Sequence, residues 1–179
     1  MHNGAMARNE ELEALMVRYQ QGDAAAVTAL VETLSPQLHR FFLGQFVSRR
    51  FADDLLQETW LKVHQVRHTY RPGEPVLPWI YAIARHTRVD HYRRTRRREG
   101  REAAMENVPE PAAPQPVETP GPEIDEMLRD LPESQREVIL MLKVAEMSIE
   151  EVARATSSSV GSVKQKAHRA YEKLRRTLV

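Results

Sequence analysis

Three groups of side chains have the types and spacing to do chemistry at a surface. In residues 51–68, at about 100° per residue, Asp53, Asp54, Gln57, Glu58 and Leu61 share one arc of a helix. A leucine rimmed by carboxylates and an amide has the form of a protein-binding hot spot, although a solvated helix face carries the same charges. In residues 77–98, Tyr81, Arg85, Arg88, Tyr92 and Arg96 recur at spacings of four, three, four and four. Arginine neutralises phosphate, and a tyrosine ring offers an unpaired base a stacking face worth ~1–3 kcal/mol. That pairing suits single-stranded nucleic acid; the alternative packs the rings inside and leaves the arginines hydrated. In residues 159–177, Ser162, Gln165 and Arg169 fall on an outer arc flanked by Lys164 and Lys166. Small and polar groups that reach base edges, beside lysines that meet phosphates, suit a helix lying in a major groove.

Other chemistry is poorly served. Asp53, Asp54 and Glu58, with His64 and His68, are the nearest approach to a metal set, but His68 falls outside the acidic arc and no H-E-x-x-H spacing occurs. The sequence has no cysteine, which excludes disulfides, thiolate zinc sites and cysteine nucleophiles. We therefore expect no catalytic residues, metal, cofactor or small-molecule substrate. No apolar run approaches the ~20 residues of a membrane span, and no charged-then-apolar leader opens the chain, so the expected location is the cytoplasm.

The elements that must position these groups read as helices. With 179 residues and 41% apolar side chains, the chain has room for two modest cores. The net charge of +1 conceals segregation. Residues 85–101 hold eight arginines against Asp90 and Glu99, whereas residues 102–128 hold seven acids and no lysine or arginine. The arginine block is a candidate polyanion surface, in which Asp90 is expected to pair with a neighbouring arginine. Six prolines between Pro109 and Pro122 block regular structure and mark an extended linker over 102–121. The expected organisation is a helical domain over 1–101, this linker, and a second helical domain over 122–179.

Before the linker, Leu12, Leu15, Met16 and Tyr19 begin a helical period that Gly22-Asp23 interrupts, and Pro36 marks a kink or a new start before Leu38, Phe41, Phe42 and Phe46. Residues 51–68 should bury Ala52, Leu55, Leu56, Thr59, Val63 and Val66; residues 77–98 should bury Trp79, Ile80, Ile83 and Thr87. Beyond the linker, helices are expected near 122–130, 133–145, 148–155 and 159–177. Ser148 with Glu151 forms a capping box. The short helix it opens, a turn at Thr156-Ser157-Ser158 and a longer cationic helix match a helix-turn-helix, with a plain two-helix corner as the alternative. No strand alternation is visible, so the fold class is all-α.

Together these stretches resemble the extracytoplasmic-function sigma factors of bacterial RNA polymerase. Asp53-Asp54-Leu55-Leu56-Gln57-Glu58-Thr59-Trp60-Leu61-Lys62-Val63 is similar to the family's polymerase-binding helix, with Trp60 for the usual phenylalanine. Leu77-Pro78-Trp79-Ile80-Tyr81-Ala82-Ile83-Ala84-Arg85-His86, with Asp90, is similar to its melting helix, with His86 for asparagine. Leu131-Pro132, Arg136, Val138, Ser148–Ala153 and Gly161-Ser162-Val163-Lys164 resemble its second DNA-binding region. Met147 replaces a customary glycine, and the turn at Thr156–Ser159 lacks another.

The resemblance implies roles for these residues. Asp53, Asp54, Gln57, Glu58 and Leu61 would grip the polymerase core at its beta-prime subunit, with the beta subunit also in contact. Tyr70, Arg71, Tyr81, Arg85, Arg88, Tyr92 and Arg96 would hold the melted minus-ten element around a flipped base. Ser162, Lys164, Gln165, Lys166 and Arg169 would read the minus-35 element. The expected function is promoter selection and assistance in melting, with an anti-sigma factor as a further partner.

Overall fold

A computed structural model describes residues 3–45, 47–103 and 122–178. Phe46 and nearly all of the proline-rich stretch at 102–121 lie outside the described residues. Among the described residues, every regular element is helical: α1 (Asn3–Gln20), α2 (Ala24–Leu43), α3 (Arg49–Val66), α4 (Val76–Ala103), α5 (Pro122–Arg129), α6 (Glu133–Lys143), α7 (Ile149–Ala155) and α8 (Val160–Thr177), with a 3₁₀ turn at Arg67–Thr69.

Local chemistry sets the boundaries. Gly22 turns the chain with φ of +87°, and the Asp23 carboxylate caps α2 by accepting from the Ala25 and Ala26 amides. Ser48 caps α3, Ser159 caps α8, and Ser148 with Glu151 closes the reciprocal box at the start of α7. Pro36 starts no new helix: it lies inside α2, which continues to Leu43. The core supplies the reason. Leu30, Leu34, Leu38, Phe41 and Phe42 on both sides of Pro36 are fully buried, and that packing outweighs one missing backbone hydrogen bond.

The first four helices pack together, with α2 against α1 and α3, and α4 against α3. Helices α5–α8 form a second group in which α8 rests on α6 and α7. The groups also meet. Helix α4 packs on α7, and one continuous buried cluster runs through both, from Leu12 and Phe41 to Val152 and Ala170. Gly44, at the end of α2, marks one close approach: a Cβ there would lie 2.5 Å from Leu140 Cδ2. Helix α4 spans about 42 Å at 1.5 Å per residue and reaches beyond the bundle.

Candidate functional site

On α3, burial of Ala52, Leu55, Thr59 and Val63 turns the opposite arc outward. Asp53, Asp54 and Gln57 are exposed, and Leu61 stands 64% exposed among them. The Asp53 carboxylate lies 2.8 Å from His39 Nε2 of α2. Beside Leu61, an apolar groove of about 640 Å³ runs between α2 and α3, lined by Val27, Val31, Leu56 and Trp60. Trp60 is anchored by its indole N–H, which donates to Ser35 Oγ at 2.9 Å. Glu58 differs from its neighbours. It is half-buried and accepts from Arg94, with Lys62 at 3.9 Å and His91 at 3.8 Å, so it ties α3 to α4.

On α4 the tyrosine–arginine stripe divides. Tyr92 is 58% exposed, with the Arg96 guanidinium 5.7 Å from its ring centre. Tyr81 does not join it. It is fully buried, edge-on to Phe41 with ring centres 5.1 Å apart, and its hydroxyl has no hydrogen-bond partner among the described residues. Burial pushes its pKa up. The expectation of an exposed Tyr81 is corrected by phase: the buried strip runs through Leu77, Ile80, Tyr81, Ala84 and Thr87, leaving Trp79 and Ile83 half-buried. Tyr70, in the loop before α4, is buried as well: it donates its hydroxyl hydrogen to the Glu74 carbonyl at 2.6 Å and lies edge-on to Trp79. Burial, reinforced by Glu13 and Glu74, pushes its pKa up to about 12. Arg71, next in sequence, is exposed. Asp90 pairs with Lys62 of α3 at 3.2 Å rather than with an arginine; that contact holds its carboxyl below the usual range.

Arg85 and Arg88 are occupied from the other half of the chain. The Arg85 Nε–H donates to Glu137 Oε1 at 2.8 Å, and its Nη1 reaches the Thr156 carbonyl at 3.4 Å. Arg88 donates to Glu133, holding that carboxyl below its ordinary range. Glu137 is buried, and desolvation raises its pKa despite the nearby Arg85 and Arg88. Arg154 of α7 pairs with Glu74 in the loop before α4, and both flank a cleft of about 330 Å³ lined by Tyr70 and Trp79. Arg8 with Glu146, and Asn9 with Glu151, add links from α1. Sequence reasoning missed this set. Glu137 carried a signal, since its position falls among the buried Val138, Leu140 and Met141, where a carboxylate needs a cation.

On α8, the burial of Val163, Ala167 and Ala170 leaves Lys164, Gln165 and Arg169 exposed and Ser162 and Lys166 half-buried. Ser162, Gln165, Lys166 and Arg169 share one arc of α8, and Lys164 lies on the far flank of the helix. In the turn before α8, Ser157 takes φ of +51°; ahead of α7, Glu146 takes φ of +53°. Both are left-handed conformations that favour glycine.

This architecture matches known proteins. Residues 30–98 match the family model for sigma-70 region 2, and residues 122–174 that for sigma-70 region 4. The RNA polymerase sigma factor CarQ of Myxococcus xanthus is 32% identical, over 91% of this chain and 95% of that protein. The sigma factor SigF of Caulobacter vibrioides is 31% identical, over 91% of each chain. In fold, the chain is similar to CnrH in its complex with the cytosolic domain of CnrY, at a TM-score of 0.72 and 22% identity, covering 94% of this chain and 97% of CnrH. It is also similar to RpoE of Bartonella quintana, solved with the anti-sigma factor NepR, at a TM-score of 0.67 and 23% identity, covering 84% and 95%. Two regional matches in the expected order, and full-length relatives above 30% identity, establish that the chain belongs to the extracytoplasmic-function sigma factors of RNA polymerase.

Proposed function

We propose that this sigma factor docks on core polymerase through α3 and reads two promoter elements, one with each half of the chain. The reading divides the chain into an N-terminal domain over 1–101, a linker over 102–121 and a C-terminal domain over 122–179. The observation that carries it is the simultaneous outward presentation of the Leu61 face on α3 and the Gln165–Arg169 face on α8, on separate helical groups.

Asp53, Asp54, Gln57 and Leu61 grip the beta-prime subunit, with Glu58 orienting α3 against α4. Tyr92, Arg96 and Arg71, joined by Arg85 and Arg88 once their carboxylate partners leave, hold the minus-ten strand. Ser162, Gln165 and Arg169 meet base edges of the minus-35 element, while Lys164 and Lys166 meet the backbone. RNA synthesis itself stays with the polymerase, and the factor acts in the cytoplasm where that enzyme works. Among the described residues, no helix is long and apolar enough to cross a membrane.

Control by an anti-sigma factor is part of the same reading. The similar folds of CnrH and RpoE were solved with CnrY and NepR, and the apolar groove beside Leu61 offers such a protein a seat that would also block the polymerase. Run-off transcription with core polymerase on a pool of genomic fragments tests the reading. Discrete transcripts that depend on this chain, sharing two upstream elements, are the expected result; failure to program core enzyme overturns it.

A further inference from the structure

The loop that carries Arg71 into α4 is shaped from outside itself. Within residues 67–75 the backbone makes two short closures: the Tyr70 N–H donates to the Arg67 carbonyl at 3.3 Å, and the Glu74 N–H to the Arg71 carbonyl at 3.1 Å. Gly73 reverses the chain with φ of +93°. Helix α1 adds three bonds to that backbone. The Gln20 side-chain amide directs both of its N–H groups there, donating to the Arg67 and Tyr70 carbonyls at 2.8 Å each. The Gly73 N–H donates to the Glu13 carboxylate at 2.6 Å. Glu13 and Gln20 stand two turns apart on one face of α1, a separation of about 10.5 Å at 1.5 Å per residue. They therefore hold the loop at its start and at its tip. The helix behind them is fixed, because Leu12, Met16 and Tyr19 of α1 are buried in the core. What the loop presents outward is Thr69 and Arg71, both exposed, at the cleft of about 330 Å³ lined by Tyr70 and Trp79.

We propose that Glu13 and Gln20 are positioning residues for base recognition: acting through the backbone of residues 67–75, they keep this cleft in the shape that accepts one base of the melted strand, and so set how sharply that base is distinguished from the others. This deepens the proposed function and rests on its placement of the Arg71 loop against the minus-ten strand. The physical reason is preorganisation. A loop with few bonds of its own opens locally and adapts to whatever base arrives, whereas a loop held in one shape rejects the bases that do not fit it. Released from Gln20, the Arg67 and Tyr70 carbonyls turn to water and carry the cleft wall with them. The two residues also fail in different ways. Gln20→Glu has nearly the same size but sets acceptors against two carbonyls, so it breaks the clamp. Glu13→Gln keeps an oxygen that accepts from Gly73, so it preserves it.

The test uses holoenzyme assembled from core polymerase and the full chain. It is offered a pool of single-stranded oligonucleotides with a randomised window, and the retained fraction is sequenced against core alone. The parent should enrich a single base at one position. Gln20→Glu and Glu13→Leu should each flatten that position roughly fivefold or more, with preferences elsewhere in the window kept. Glu13→Gln should retain it. So should Leu15→Ala, which trims the core side of α1 and lowers the melting temperature without removing a bond to the loop. Flattening that instead follows the melting temperature, with Leu15→Ala affected as much as the others, would reduce both residues to structural roles and overturn the proposal. A preference retained in Gln20→Glu and Glu13→Leu but lost in Thr69→Ala with Arg71→Ala would overturn the clamp while leaving the loop as the base site. A parent with no such position, or one retained in every variant, would remove the loop from the strand and overturn that part of the proposed function together with the clamp.

Discussion

Leu61 shows how one side chain acquires meaning from its surroundings. A lone exposed leucine is ordinary, but this one is continuous with the groove at Leu56 and Trp60 and is bordered by Asp53, Asp54 and Gln57. Leu61→Ala should weaken core polymerase binding by about 1–2 kcal/mol with no change in melting temperature; titration of labelled core with each form checks this, and unchanged affinity would place the interface elsewhere. A second residue-scale prediction concerns the turn before α8. At φ of +51°, Ser157 pays the left-handed penalty that glycine avoids, and its side chain is exposed. Ser157→Gly should stabilise the chain by about 0.5–1 kcal/mol, after the greater unfolded-state entropy of glycine is subtracted. Thermal melting should show a rise of roughly 1–4 °C. A loss of stability would mean that interactions of the serine side chain outweigh the strain. The sequence marks this turn as lacking its customary glycine, yet only the backbone shows that the left-handed geometry persists without one.

At the scale of elements, the period of buried residues was legible wherever one face of a helix is buried and the other is wet. Helices α3 and α8 come nearest that condition: Asp53, Asp54, Gln57 and Leu61, and Lys164, Gln165 and Arg169, are exposed, whereas Glu58, Ser162 and Lys166 are half-buried. Helix α4 does not, because it is covered on one side by α3 and on another by α7. Tyr81 falls inside the buried arc against Phe41 of α2, and Trp79 and Ile83 come to its edges. Nothing in the sequence of α4 announces the second cover, since it comes from residues more than sixty positions away. The clean phase of α8 permits a sharper test. Arg169, exposed one turn beyond Gln165, should read a base edge, whereas Lys164 flanks that line and should meet phosphate. Arg169→Ala should relax discrimination at one upstream base pair by about 1–3 kcal/mol, while Lys164→Ala should weaken all sequences alike and lower the salt slope by about one. Binding of a panel of single-base variants at several salt concentrations separates the two, and the reverse pattern would show the helix to be rotated in the groove.

At the scale of the molecule, the two halves are joined by packing and by charge, and the two carboxylates that take part respond differently to pH. Glu133 is held below its ordinary pKa by Arg88, so its contribution to the folded state is present above about 4.5 and fades only at lower pH. Glu137 behaves oppositely. Burial raises its pKa, so its neutral form suits the folded state; that contribution is full below about 4.5 and is lost as pH rises through the elevated value. Above about 4.5, therefore, Glu137 changes its contribution while Glu133 stays ionised. Glu137→Gln keeps a carbonyl that can accept from Arg85 and removes the buried charge, and Arg85 is open enough to water to remain solvated. The variant should match or exceed the parent in melting temperature at pH 7, and that margin should shrink as the buffer is taken toward pH 4.5 and the parent carboxylate gains its proton. A series of melting curves over this range checks the sign. A variant markedly less stable at pH 7 would mean that Arg85 returns more to Glu137 than burial takes from it.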